Sequence, residues 1–336
     1  MTFIQPMAAC LTAAGKGKPL MVFISKAIPM ARKRKIPADH TAFAGLPVQM
    51  VTLDKGAATV AVHVSGTLSS DTVPLICLAG YHRNMSDFTQ FRTLYHHGAG
   101  TKQPLVLLDL RGRGRSSDRA DKKEYGSPRD ARDVGDVANA LGIERAVFLG
   151  QGYGGQVSML LGSQRPGLVA GMVLVDIGPV TDSRGLVRLR QNVQHIESLR
   201  GTGAVSQGFR RMLQGDYPGA NDTHVQILMG RSHYLDKRGR ARPLYDPRLI
   251  TALEAFHHDD VLVAQWQYFD ALARVPLMLM RTQLTDQVRR DTFDQMTKRR
   301  PDARVFSIQG QGSPALFDQL DEVQAVAQFV AEIERS

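Results

Sequence analysis

The sequence predicts an α/β fold built on a mostly parallel sheet, and three observations carry that reading. Apolar runs and amphipathic stretches alternate from about residue 73 to 178, the rhythm of βαβ units. Residues 73–79 and 105–109 are continuous apolar runs rather than alternating ones, as strands buried on both faces require. The rhythm then breaks over residues 181–272 and resumes with two further strand candidates, which describes one sheet interrupted by a helical insertion.

In chain order, residues 48–54 and 58–64 alternate apolar and polar side chains and read as two antiparallel strands joined across Lys55-Gly56. Residues 73–79 form the third strand, 86–97 a helix and 105–109 the fourth strand. Residues 128–141 read as a helix with Ser127 as its N-cap and Pro128 at its first position. A strand at 146–149, a helix at 153–164 and a strand at 172–175 follow. Residues 181–272 read as mostly helical, with no clear strand. The last strands are 275–280 and 304–308, and 320–332 is an amphipathic helix with Val323, Val326, Ala327 and Val330 on one face.

The chain has 336 residues, 43% of them hydrophobic and 22% charged, with 42 Lys+Arg against 32 Asp+Glu and a formal net charge of +10. That composition excludes a disordered chain, a collagen and a disulfide scaffold. No run of about 18 apolar residues exists, so no membrane span is expected. The basic residues are scattered, the tightest cluster being Arg32-Lys33-Arg34-Lys35, and no nucleic-acid partner is expected. Cys10 and Cys77 have no metal or redox spacing, and Cys77 reads as a core residue of a reduced, cytoplasmic protein. Residues 1–44 make a poor domain and read as a disordered tail or an over-extended start, with Met30 a plausible true start. They are no signal peptide, because Lys16 and Lys18 precede only a short apolar stretch.

Several motifs coincide at strand ends. Leu78-Ala79-Gly80-Tyr81 closes the third strand, and Asp109-Leu110-Arg111-Gly112-Arg113-Gly114-Arg115-Ser116 follows the fourth. Ala140-Leu141-Gly142-Ile143 precedes a strand running into Gly150-Gln151-Gly152-Tyr153-Gly154-Gly155, and Val175-Asp176-Ile177-Gly178-Pro179 follows the next. In combination these resemble the α/β-hydrolase family over about residues 45–334. The resemblance implies an eight-stranded, mostly parallel sheet flanked by helices, with a core at 45–180 and 273–334 and a helical cap at 181–272 that shapes a pocket for a small-molecule substrate. Tyr245-Asp246-Pro247-Arg248 looks like a stretch common in bacterial caps of this type.

The family's chemistry uses a serine on a strained strand-to-helix turn, an acid and a histidine, in that chain order. Here the nucleophile position holds Gly152. The acid position resembles Asp286, in Leu284-Thr285-Asp286, with Asp176 as a second possible acid that the family more often shows as structural. The histidine position holds Ser313, in Gly310-Gln311-Gly312-Ser313-Pro314, and no histidine follows His258. The backbone N–H groups of Tyr81 and Tyr153 would form the oxyanion hole, and His82, Arg83 and Asn84 lie beside it. These departures imply a catalytically degenerate homologue that binds a small hydrophobic or ester-like ligand, with no cofactor. An alternative is a working hydrolase in which Asp286 or His82 activates water. A second alternative is a dinucleotide site, since Gly150, Gly152 and Gly155 fit Gly-x-Gly-x-x-Gly and Asp176 ends the next strand. His233, His257 and His258 fall in the cap and read as hydrated surface. His257-His258-Asp259-Asp260 could ligate a metal on composition, but neighbours on a helix diverge, so no metal site is expected.

Overall fold

The computed structural model describes residues 36–37 and 40–335. Its chain runs β1 (Gln49–Leu53), β2 (Ala58–Ser65), β3 (Leu75–Leu78), α1 (Thr89–Thr93), β4 (Leu105–Leu108), α2 (Ser127–Ala140), β5 (Ala146–Gln151), α3 (Tyr153–Gln164) and β6 (Val169–Val175). An insertion follows, with α4 (Ser183–Ser198), α5 (Thr202–Leu213), α6 (Asp222–Gly230), a hairpin of β7 (His233–Leu235) and β8 (Ala241–Pro243), α7 (Arg248–Ala252) and α8 (Trp266–Asp270). β9 (Leu277–Thr282), α9 (Arg290–Arg299), β10 (Arg304–Ile308) and α10 (Leu320–Arg335) complete it.

Eight strands form one sheet in the order β1-β2-β4-β3-β5-β6-β9-β10. β2 is antiparallel to both β1 and β4, and the remaining pairs are parallel. β3, β4 and β6 are buried along their whole length, because helices cover both faces of the sheet. Val134 and Val137 of α2, Val157 of α3, and Phe293 and Met296 of α9 pack on one face. Phe88, Phe91 and Tyr95 around α1, and Val323, Val326 and Val330 of α10, pack on the other. Cys77 is a free, buried thiol among them, pushed up by burial.

Four details differ from the sequence expectations. The helix expected at 86–97 is three short pieces, a 3-10 turn (Met85–Phe88), α1 and a π turn (Leu94–Gly98). Ser127 is the first helical residue of α2 rather than its cap, and no side chain caps that end. The insertion contains the β7–β8 hairpin, whose three-residue strands are too short to show alternation. Within the expected tail, Thr41–Phe43 forms a 3-10 turn, with the Arg115 guanidinium 4.3 Å over the Phe43 ring. Cys10, Met30 and the Arg32–Lys35 cluster lie outside the described residues, as does nearly all of the rest of the tail.

Candidate active site

The site is built on the turn from β5 into α3. Gly152 has φ 49° and ψ −119°, a region costly for any residue with a side chain. Its N–H donates to Val175 O at 2.9 Å, which ties the turn to the end of β6. The flanking glycines are demanded by packing. A Cβ on Gly150 would lie 2.4 Å from Gly155 backbone, one on Gly154 2.2 Å from Leu78 O, and one on Gly155 2.4 Å from Ile177 Cγ2. At Gly152 a Cβ would meet nothing within 4 Å. The turn therefore keeps the shape and the space of a nucleophile position and lacks only the side chain.

The Asp109–Ser116 stretch fixes the neighbouring Tyr81 loop. Asp109 accepts from Met85 N at 2.7 Å and from Arg115 N at 2.8 Å, and Gly114, at φ 51°, passes so close that a Cβ would strike that carboxylate. Ser116 Oγ accepts from Ala61 N at 2.8 Å and anchors the stretch to β2. Arg113 is fully buried. Its Nε donates to Tyr81 O at 2.8 Å and its NH1 to Asp130 Oδ2 at 3.1 Å. Tyr153 OH donates to the same Asp130 oxygen at 2.8 Å, while Arg119 binds Asp130 at 2.6 Å and Asp133 at 2.7 Å. The Tyr81 and Tyr153 rings meet edge to face at 5.1 Å. Both expected oxyanion donors thus sit on one braced unit. As the first residue of α3, Tyr153 has no intrahelical acceptor for its N–H.

The insertion docks on the same stretch. Asp246 N donates to Gly112 O at 2.7 Å, Tyr125 OH donates to Asp246 at 2.5 Å, and Tyr81 OH donates to Leu249 O at 3.1 Å.

At the far side of the turn the structure brings Ser313 to Asp176. Asp176 has φ 51° and is almost fully buried. Its carboxylate accepts from Thr282 N at 2.8 Å, from Thr282 Oγ1 at 2.7 Å and from Ser313 Oγ. Burial pushes the Asp176 carboxyl up, and the Ser313 and Thr282 hydrogen bonds oppose that. Ser313 Oγ also lies 2.9 Å from Thr285 Oγ1. Asp286 is at the surface, ion-paired with Arg188 of α4 and hydrogen-bonded by the Gln287 amide at 3.1 Å.

Two residues here carried no sequence signal. Asp216 O, in the insertion, accepts from Gly312 N at 2.6 Å, and Tyr217 OH donates to Pro314 O at 2.5 Å. Burial and the Asp286 charge raise the Asp216 carboxyl to about 6.

His82 lies on the Tyr81 loop, edge to face with Tyr245 at 5.3 Å. Burial and the nearby Arg83 hold its imidazole neutral, well below the usual histidine range. His233, expected at the surface, is buried. It is bonded to Ser232 Oγ at 2.9 Å and lies 3.2 Å from Tyr245 OH, because the missed hairpin turns it inward. His257 and His258 are exposed as expected. Among the described residues no group of His, Cys, Asp or Glu is gathered to hold a metal ion. As for a dinucleotide, Asp176 has its carboxylate engaged by Thr282 and Ser313 and buried away from any ribose.

A family model described as alpha/beta hydrolase fold matches residues 73–319. The chain belongs to the α/β hydrolase fold family. The eight-stranded, mostly parallel sheet is the hydrolase sheet that the motifs implied. The N-formylmaleamate deformylase of Pseudomonas putida is 27% identical to this hydrolase-fold chain over 217 residues, covering 64% of it and 74% of that protein. A crystal structure of an α/β hydrolase from Novosphingobium aromaticivorans matches with a TM-score of 0.73 at 24% identity, over 85% of this chain and 98% of that one. E-2-(acetamidomethylene)succinate hydrolase matches with a TM-score of 0.67 at 17% identity, over 85% of this chain and all of that one. No described helix is long and apolar enough to cross a membrane.

Proposed function

We propose that this protein holds a small carbonyl-bearing ligand at the turn between β5 and α3 and performs no triad hydrolysis there. The observation that carries this reading is the space above Gly152, kept in nucleophile geometry with no side chain to attack from it. Glycine also relieves the strain that a serine would carry at this φ. Ser313 supports the same reading. It occupies the histidine position, already bonded to the buried Asp176, and provides no imidazole to relay a proton. Losing nucleophile or base alone costs a triad hydrolase on the order of 10⁶ in rate, and losing both costs little more. The Tyr81 and Tyr153 N–H groups would still polarise a bound carbonyl. The helical insertion acts as the cap over it, with His82 on the pocket wall. Two relatives are named for small N-acyl compounds, N-formylmaleamate and E-2-(acetamidomethylene)succinate, and a ligand of that size suits this site.

The test is turnover of short and medium acyl nitrophenyl esters, run beside Asp286→Ala and His82→Ala. No rate above buffer is expected from any of the three proteins, and no labelling at the turn by a serine-directed fluorophosphonate. A rate abolished by Asp286→Ala or His82→Ala would establish the other reading, a hydrolase that activates water. The neutral His82 imidazole is the feature that favours it.

A further inference from the structure

Beside the Tyr81 loop the core and the insertion bring two guanidinium groups to one carboxylate. The loop turns back with Arg83 N donating to Gly80 O at 3.1 Å. Arg83 then binds both oxygens of Asp87, at 2.8 and 2.5 Å, and both side chains are largely buried. Arg231 arrives from the end of α6, where Asn84 Nδ2 donates to Arg231 O at 2.7 Å. Among the described residues the half-buried Arg231 guanidinium makes no hydrogen bond or ion pair. Asp87 is the main anion acting on it, and Arg83 has already taken both oxygens of Asp87. The nearby Asp318 is exposed, and the neighbouring His82 and His233 are neutral. A sheltered cation short of an anion is an unfavourable arrangement that a ligand anion relieves.

The position of this pair relates it to the turn. Tyr217 packs near both arginines, and its hydroxyl reaches Pro314 O, next to Ser313. On the Ser313 side stand Asp176, Asp216 and Asp286, which repel a negative group. The two ends of the site therefore differ in sign.

We propose that the ligand is a small monocarboxylate, with its carboxylate on Arg231 and Arg83 and its carbonyl toward the Tyr81 and Tyr153 N–H groups. Planar guanidinium forks match a carboxylate in both charge and shape. This rests on the ligand-binding reading above and names the class of ligand.

The experiment is calorimetric titration of the purified protein at pH 7.5 with N-acetylglycine and, separately, with its uncharged methyl ester. The acid is expected to bind at least about tenfold more tightly than the ester. Arg231→Gln should remove that preference, and Arg231→Lys should restore part of it. Unfolding of each variant without ligand is the control for folding. An ester that binds as well as the acid, or acid binding untouched by Arg231→Gln, would overturn the carboxylate assignment and leave the pocket reading standing. Binding of neither probe also overturns the assignment, and the turnover and labelling experiments then decide the pocket reading separately.

Discussion

Four glycines within six residues do different work, and substitution separates them. Gly154→Ala drives a Cβ into the Leu78 carbonyl and is expected to cost more than about 4 kcal/mol or to prevent folding. Gly152→Ser meets only the backbone cost of a side chain at φ 49°, about 1–2 kcal/mol in urea unfolding. A Gly152→Ser loss as large as that of Gly154→Ala would show that the space above 152 is not open. The missing side chains at 152 and 313 were legible in the sequence, because the residues around them fix the register of the motif. The partner of Ser313 was not. Asp176 and Asp286 both follow strand ends, and chain order does not say which carboxylate turns inward. The left-handed backbone at Asp176 and the Arg188 contact at Asp286 decide it.

At the scale of elements, the β4–α2 connection acts as a brace. Arg113 links the Tyr81 loop to Asp130 of α2, while Tyr153 links α3 to the same carboxylate. Arg113→Met should cost roughly 3–5 kcal/mol, because it leaves a buried carboxylate short of a partner. The Tyr81 loop should exchange its amide hydrogens faster in that variant. A loss below about 1 kcal/mol would mean that Arg119 alone neutralises Asp130. The insertion meets the Ser313 loop through Asp216, whose carboxyl is raised from 3.8 to about 6 in the folded chain. The folded state therefore holds that proton more tightly, and the stabilisation is complete below about pH 4 and lost as pH rises through 6. Asp216→Asn should match the parent near pH 4 and exceed its stability by ~1–2 kcal/mol at pH 7. A difference constant across that range would rule out this titration. Neither the hairpin nor the Asp216 contact was legible. The first is too short for a pattern, and the second joins residues far apart in sequence that no spacing rule relates.

For the whole molecule, the sheet was legible because its central strands are sealed on both faces and so read as unbroken apolar runs. The insertion was legible only as a break in that rhythm, since its packing follows tertiary contacts such as Asp246 on Gly112 rather than local periodicity. A graft tests how much of a hydrolase the fold still is. Gly152→Ser with Ser313→His should fold and should be labelled by a fluorophosphonate, with Asp176 placed to orient the new imidazole. An unlabelled but folded double variant would mean that the scaffold has drifted beyond its two missing side chains.

The unfilled volume over residue 152 also makes this turn a mounting point for a reporter. Cys77 is sealed in the core and Cys10 can be replaced by serine, so Gly152→Cys would hold the one thiol open to alkylation. A fluorophore attached there would stand on a rigid stem at the mouth of the site and report its occupancy as a change in emission.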